Sequence, residues 1–98
     1  MSVISRDDIL AKLRSAKPML ENKYNIKTLA LFGSYSRNDA SSDSDVDLLV
    51  DFEKNIGIRF VDLADEIEEL VHLRVDLVSR NGIKPKYYQA ILPQLIYV

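Results

Sequence analysis

Two runs decide how this chain folds: Thr28-Leu29-Ala30-Leu31-Phe32-Gly33-Ser34 and, ten residues on, Ser44-Asp45-Val46-Asp47-Leu48-Leu49-Val50. The first is short and nearly all apolar, the pattern of a strand covered on both faces, and it stops at a Gly-Ser pair. The second opens with two carboxylates and continues as an apolar strand over Val46–Phe52. Side chains two apart on a strand point to one side, so Asp45 and Asp47 stand together while Val46 faces the core. Such a pair repels unless a cation lies between the carboxylates or one of them binds a proton. Hard divalent ions such as Mg²⁺ accept one or two carboxylates and complete their shell with water and phosphate oxygens. A solvated strand edge is the plain alternative.

Between the runs, residues 35–44 are polar, with a short helical turn near Ser34–Arg37 and a loop through Asn38–Ser44. A buried strand that ends in Gly33-Ser34 and enters a helical turn presents backbone N–H groups and a hydroxyl suited to phosphate. The alternative is an ordinary strand-to-turn glycine. Upstream, Ser5-Arg6-Asp7-Asp8 reads as an N-cap with acids in the first turn, ahead of Ile9, Leu13, Ala16 and Leu20 at helical spacing. Pro18 is expected to kink or interrupt that helix, and Asn25 to close it. Downstream, Asn55-Ile56-Gly57 turns the chain into an amphipathic helix carrying Phe60, Leu63, Ala64, Ile67, Leu70 and Val71. A third strand follows at Leu73–Val78, then a turn over Ser79–Gly82 and a last helix from Pro85 to about Leu92. Pro93 breaks that helix and leaves Leu95–Val98 extended. The order predicts one α/β domain over residues 1–98, a three-stranded mixed sheet flanked by about four helices.

At 98 residues the chain suffices for one modest core and leaves no room for a separate substrate-binding domain. With no cysteine, disulfides, thiolate zinc sites and cysteine nucleophiles are all excluded. The first residues become charged by Arg6, and no apolar run approaches the 18 or so that span a bilayer, so a cytoplasmic location away from membranes is expected. A net charge of −2 gives no global case for nucleic acid. Its distribution is uneven: residues 30–53 carry six acids and the single base Arg37, whereas residues 1–29 carry six bases and three acids. One more carboxylate, Asp76, lies within the apolar run Leu73–Val78, where it is costly unless paired with Arg74 or Arg80 or bound to a metal.

The three elements together carry a resemblance. Gly33-Ser34-Tyr35-Ser36-Arg37, six residues, then Ser44-Asp45-Val46-Asp47-Leu48-Leu49-Val50 is similar to the double motif of the DNA polymerase beta-like nucleotidyltransferase superfamily. It most resembles the minimal nucleotidyltransferase (MNT) proteins, MntA-like antitoxins paired with HEPN toxins. The likeness extends to the strand before Gly33, to Val75-Asp76-Leu77-Val78, and to a closing segment like Lys84-Pro85 through Ile91-Leu92. Ser36 stands where the pattern usually has Ala, and Asn38 where Gly often follows the Arg.

The resemblance implies a nucleotidyltransferase fold and an enzyme that moves AMP from ATP to a hydroxyl, the acceptor being a tyrosine of a HEPN toxin. It implies Asp45 and Asp47 as catalytic ligands of two Mg²⁺ ions, with Asp76 as the third carboxylate beside the attacking hydroxyl. Gly33 and Ser34 would hold the triphosphate, joined in nucleotide binding by Arg37 and Ser44. For Arg37, a structural pair with Asp39 or Asp43 is an equal alternative, and Ser44 suits a cap that orients the Asp45 turn. The competing class is a binding module that masks its partner without catalysis, and a weaker one transfers to a small molecule or an RNA end. The apolar segment Leu95–Val98 also suggests a homo-oligomer.

Overall fold

Ser5 opens the first helix as its neighbours predict. Its hydroxyl accepts from the Asp8 N–H at 3.1 Å, and the Asp8 carboxylate accepts from the Ser5 N–H at 3.4 Å, closing a capping box. The computed structural model describes residues 4–98; the start of the expected single domain falls on residues 1–3, outside them. Helix α1 spans Arg6–Tyr24 and ends at Asn25, whose φ of 56° is left-handed. It runs through Pro18, correcting the expected interruption. Pro18 lies on the solvent side, where a carbonyl deprived of its partner meets water, while buried Ile9, Leu13, Leu20 and Tyr24 hold the helix on both sides of it.

Strand β1 (Ile26–Phe32) leads directly into the short helix α2 (Gly33–Arg37), and β2 (Val46–Phe52) returns antiparallel to β1. Helix α3 (Arg59–Val71) then crosses to β3 (Val75–Ser79), which lies parallel to β2. Helix α4 (Pro85–Ile91) passes through a 3₁₀ turn (Leu92–Gln94) into β4 (Ile96–Tyr97), antiparallel to β1. The sheet is four-stranded and mixed, ordered β3-β2-β1-β4. Here the expected three strands need correction. The two residues of β4 are too few for a period-2 signal, and their strand character comes from pairing with Ala30 and Leu31 of β1. The same pairing engages the apolar segment Leu95–Val98: Leu95, Ile96 and Val98 are half-buried against this fold's own cores, and Tyr97 is exposed.

Alternation along the strands divides the apolar side chains between two layers. Leu29 and Leu31 of β1 and Val46, Leu48 and Val50 of β2 meet α1 and α3 through Leu13, Leu20, Leu63, Ile67 and Val71, all buried. The opposite face carries a smaller cluster of Phe32, Leu49, Ile83 and Ile91 beneath α4. That smaller cover leaves the end of this face, where β1 runs out and β2 and β3 begin, free for polar groups. Among the described residues no helix is long and apolar enough to cross a membrane.

Candidate active site

Asp47 shares a strand face with Leu49, two residues on, and so belongs to the thinly covered side of the sheet. Its neighbour across the antiparallel pair is Phe32, and its neighbour across the parallel pair is Asp76. The two carboxylate-bearing residues are therefore in register on adjacent strands, with backbones about 4.8 Å apart. Asp45 precedes β2, which begins at Val46, so strand alternation does not fix its side as expected; its charge nevertheless acts on the Asp47 carboxyl. Register thus brings Asp47 and Asp76 together across 29 positions of sequence, with Asp45 at the entry to β2. Asp76 is exposed and, among the described residues, forms no ion pair; the suggested partners Arg74 and Arg80 go elsewhere.

The glycine turn completes this corner. Gly33 adopts φ +77°, and a Cβ placed there would overlap the Asp47 carboxylate, with the Asp47 Cγ only 2.9 Å away. Glycine is required here on two counts, backbone conformation and close approach. The Asp47 side chain consequently rests on the first residue of α2. Burial, then the charges of Asp76 and Asp45, push the Asp47 carboxyl from its ordinary 3.8 up to about 6, against a smaller downward pull from Arg37.

The remaining predicted residues divide by what they touch. Arg37 pairs through Nε with Asp39 Oδ2 at 3.2 Å, the structural partner the sequence allowed, yet is 47% exposed and keeps donors free. Ser44 orders the preceding loop: its Oγ accepts from the Ser41 N–H at 2.9 Å. Ser34 is half-buried in the turn, and its carbonyl accepts from the Asp39 N–H at 2.9 Å.

Two residues enter that sequence reasoning did not place here. Arg74 pairs through Nε with Asp45 Oδ1 at 3.0 Å and donates from Nη2 to the Asp43 carbonyl at 3.1 Å. Its nearness to Asp76 in sequence had suggested the wrong carboxylate, because alternation puts Arg74 and Asp76 on one side only if the strand already runs through both, and β3 begins at Val75. Gln94 accepts from the Gly33 N–H at 2.9 Å across 61 positions, a contact with no local signal. Among the described residues no three acidic or histidine side chains form a ready-made metal cluster. Asp45 is drawn toward Arg74, in a pair whose members are 47% and 73% exposed. Exposed pairs of this kind contribute about 0–1 kcal/mol and exchange readily.

The arrangement is a set of hard oxygen donors beside a glycine turn and an arginine, chemistry suited to handling a polyphosphate. Comparison with known proteins agrees. The MntA protein adenylyltransferase of Thermococcus cleftensis is 35% identical over 99 residues, spanning 100% of both chains. A solved structure provisionally named a minimal nucleotidyltransferase superposes with a TM-score of 0.81 at 32% identity, over 98% of each chain. A structure of a tri-AMPylated Shewanella oneidensis HEPN toxin in complex with an MNT antitoxin shares the fold. That match has a TM-score of 0.60 at 24% identity, over 94% of this chain and 66% of the other. The family described as polymerase beta, nucleotidyltransferase matches residues 14–97, and the chain belongs to it, as a minimal nucleotidyltransferase of the MntA type.

Proposed function

We propose that this nucleotidyltransferase moves AMP from ATP to the hydroxyl of a tyrosine on a HEPN toxin, with Mg²⁺, and thereby acts as that toxin's antitoxin. The observation that carries the reading is the position of Asp47, in register with Asp76 and seated on the Gly33 turn. The relative named protein adenylyltransferase supports the AMP donor. The shared fold with an MNT antitoxin found beside an AMPylated HEPN toxin motivates the choice of acceptor.

The donor set fits Mg²⁺: the three carboxylates are hard oxygen ligands, burial and then the charges of Asp76 and Asp45 raise the affinity of Asp47 for a proton, and a divalent cation offsets the same unfavourable charge. Asp45, Asp47 and Asp76 would hold two ions, which when bound supply charge neutralisation for the attacking and leaving oxygens. The chain itself positions the reactants. The Gly33-Ser34 turn, through groups other than the Gly33 N–H that Gln94 occupies, holds the polyphosphate together with Arg37, and Ser44 fixes the loop that delivers Asp45. Asp76, exposed at the second position of β3, would stand beside the entering acceptor hydroxyl. The acceptor oxygen attacks the α-phosphorus in line, the bond to pyrophosphate breaks, and the hydroxyl proton leaves to solvent or carboxylate. Residues 1–98 act as one domain, and with so little surface of its own, the partner completes acceptor selection.

The test incubates the protein with α-labelled ATP, Mg²⁺ and a HEPN-domain protein encoded in the adjacent reading frame. Label should appear on a tyrosine of the partner with wild type and fall at least a hundredfold with Asp45→Asn or Asp47→Asn. Neutralisation of the partner by wild type and both variants alike, with no label transferred, would replace this reading by masking.

A further inference from the structure

Gln94 holds more of the Gly33–Arg37 turn than any residue the sequence singled out. Its Oε1 accepts from the Gly33 N–H at 2.9 Å and from Arg37 Nη1 at 3.2 Å. Its backbone carbonyl accepts from the Ser36 hydroxyl. One residue, 57 positions beyond Arg37, thereby ties the glycine that seats Asp47 to the arginine on the far side of the turn. Arg37 is fixed from two directions, with Nε on Asp39 and Nη1 on Gln94. The three N–H bonds left over, one on Nη1 and two on Nη2, form the edge that can meet an anion.

The chemical type at position 94 matters. A carboxylate there would orient Arg37 equally well but would cancel its charge. A carboxamide oxygen orients the guanidinium and leaves it cationic. We propose that Gln94 is a positioning residue for nucleotide binding, holding Arg37 and the Gly33 turn in the geometry that receives the polyphosphate. This rests on the reading of Arg37 as a phosphate contact. The residue touches no reacting atom, so its effect appears in nucleotide affinity and reaches chemistry only weakly.

The experiment compares Gln94→Met, similar in length without the acceptor, with Gln94→Glu, which keeps an acceptor but adds a charge. Each is measured in the wild-type and Arg37→Ala backgrounds. Calorimetry with Mg²⁺ and a non-hydrolysable ATP analogue gives Kd, and transfer assays give KM and kcat. Gln94→Met should raise Kd and KM about tenfold with kcat within about twofold, and should add almost nothing once Arg37 is Ala, because coupled residues are not additive. Gln94→Glu, well folded by its retained size and acceptor, should bind at least as poorly as the Met variant. An unchanged or tighter Kd for Gln94→Met, or full additivity with Arg37→Ala, overturns the proposal. If Arg37→Ala alone leaves Kd unchanged, the phosphate role of Arg37 falls, and the role of Gln94 with it. A loss on Arg37→Ala without a loss on Gln94→Met removes only the latter.

Discussion

Asp47 ties stability to chemistry at the level of a single side chain. Its carboxyl titrates at about 6 when folded, against an ordinary 3.8, because burial and the Asp76 and Asp45 charges oppose ionisation. Below pH 3.8 both folded and unfolded chains carry the proton, and the residue costs nothing. As pH rises from there to about 6 the unfolded chain ionises first, so stability falls across that window and stays reduced above it. Asp47→Asn keeps the shape that fits over Gly33 and removes the charge. In chelator, the variant should exceed wild type by about 1 kcal/mol at pH 7.5, a value discounted for the open side of a partly exposed group. The advantage should vanish near pH 4. Urea unfolding at the two pH values checks it, and equal stability at both would show that the acids are not crowded. Asp47 and Asp76 were legible in sequence as acids within apolar strands, whereas β2 begins at Val46, so period-2 spacing alone does not set the side of Asp45. The partners Arg74 and Gln94 were not, because each reaches its target by a contact that exists only after the strands are paired.

At the scale of elements, propensity and packing pull in opposite directions in α1. Pro18 removes the hydrogen bond to the Arg14 carbonyl, and in an isolated helix that costs about 3 kcal/mol relative to Ala. Both residues face solvent, so water satisfies the carbonyl while the buried stripe from Ile9 to Tyr24 keeps the helix continuous. Pro18→Ala should therefore stabilise by only about 1 kcal/mol, raising Tm by roughly 4–8 °C for a chain of this size. Calorimetry measures it; a fall in Tm would mean that the proline sets a bend the core requires. The same competition explains what the sequence disclosed. Strands β1 and β2 and helix α3 were readable because each combines a strong apolar pattern with a clear stop. The bounds of β1 and β3 shifted by one or two residues, since hydrogen-bonded partners rather than side-chain pattern extend a strand to Ile26 or to Ser79.

Across the whole molecule, the last residues join parts that are far apart in the sequence pattern. The Val98 N–H donates to the Leu29 carbonyl at 3.0 Å, while Lys17 Nζ and Arg14 Nη2 of α1 donate to the carbonyls of Val98 and Tyr97 at 2.6 and 3.3 Å. One step earlier, Gln94 is bound to the Gly33–Arg37 turn. The segment therefore covers the edge of β1 and, through its attachment there, keeps Gln94 beside the site. Removing residues 95–98 strips three half-buried apolar side chains, Leu95, Ile96 and Val98, from the cores. At about 1 kcal/mol for each half-buried side chain, the loss comes to about 3 kcal/mol. It also bares a row of unpaired backbone groups on β1, a template for pairing between chains. The truncated protein should unfold at lower urea and elute partly as aggregates in size-exclusion chromatography. Its remaining monomer should bind nucleotide more weakly, because Gln94 has lost its anchor. A truncated chain that stays monomeric, as stable as the full one and unaltered in nucleotide affinity, would show that β4 neither closes the sheet nor supports the site.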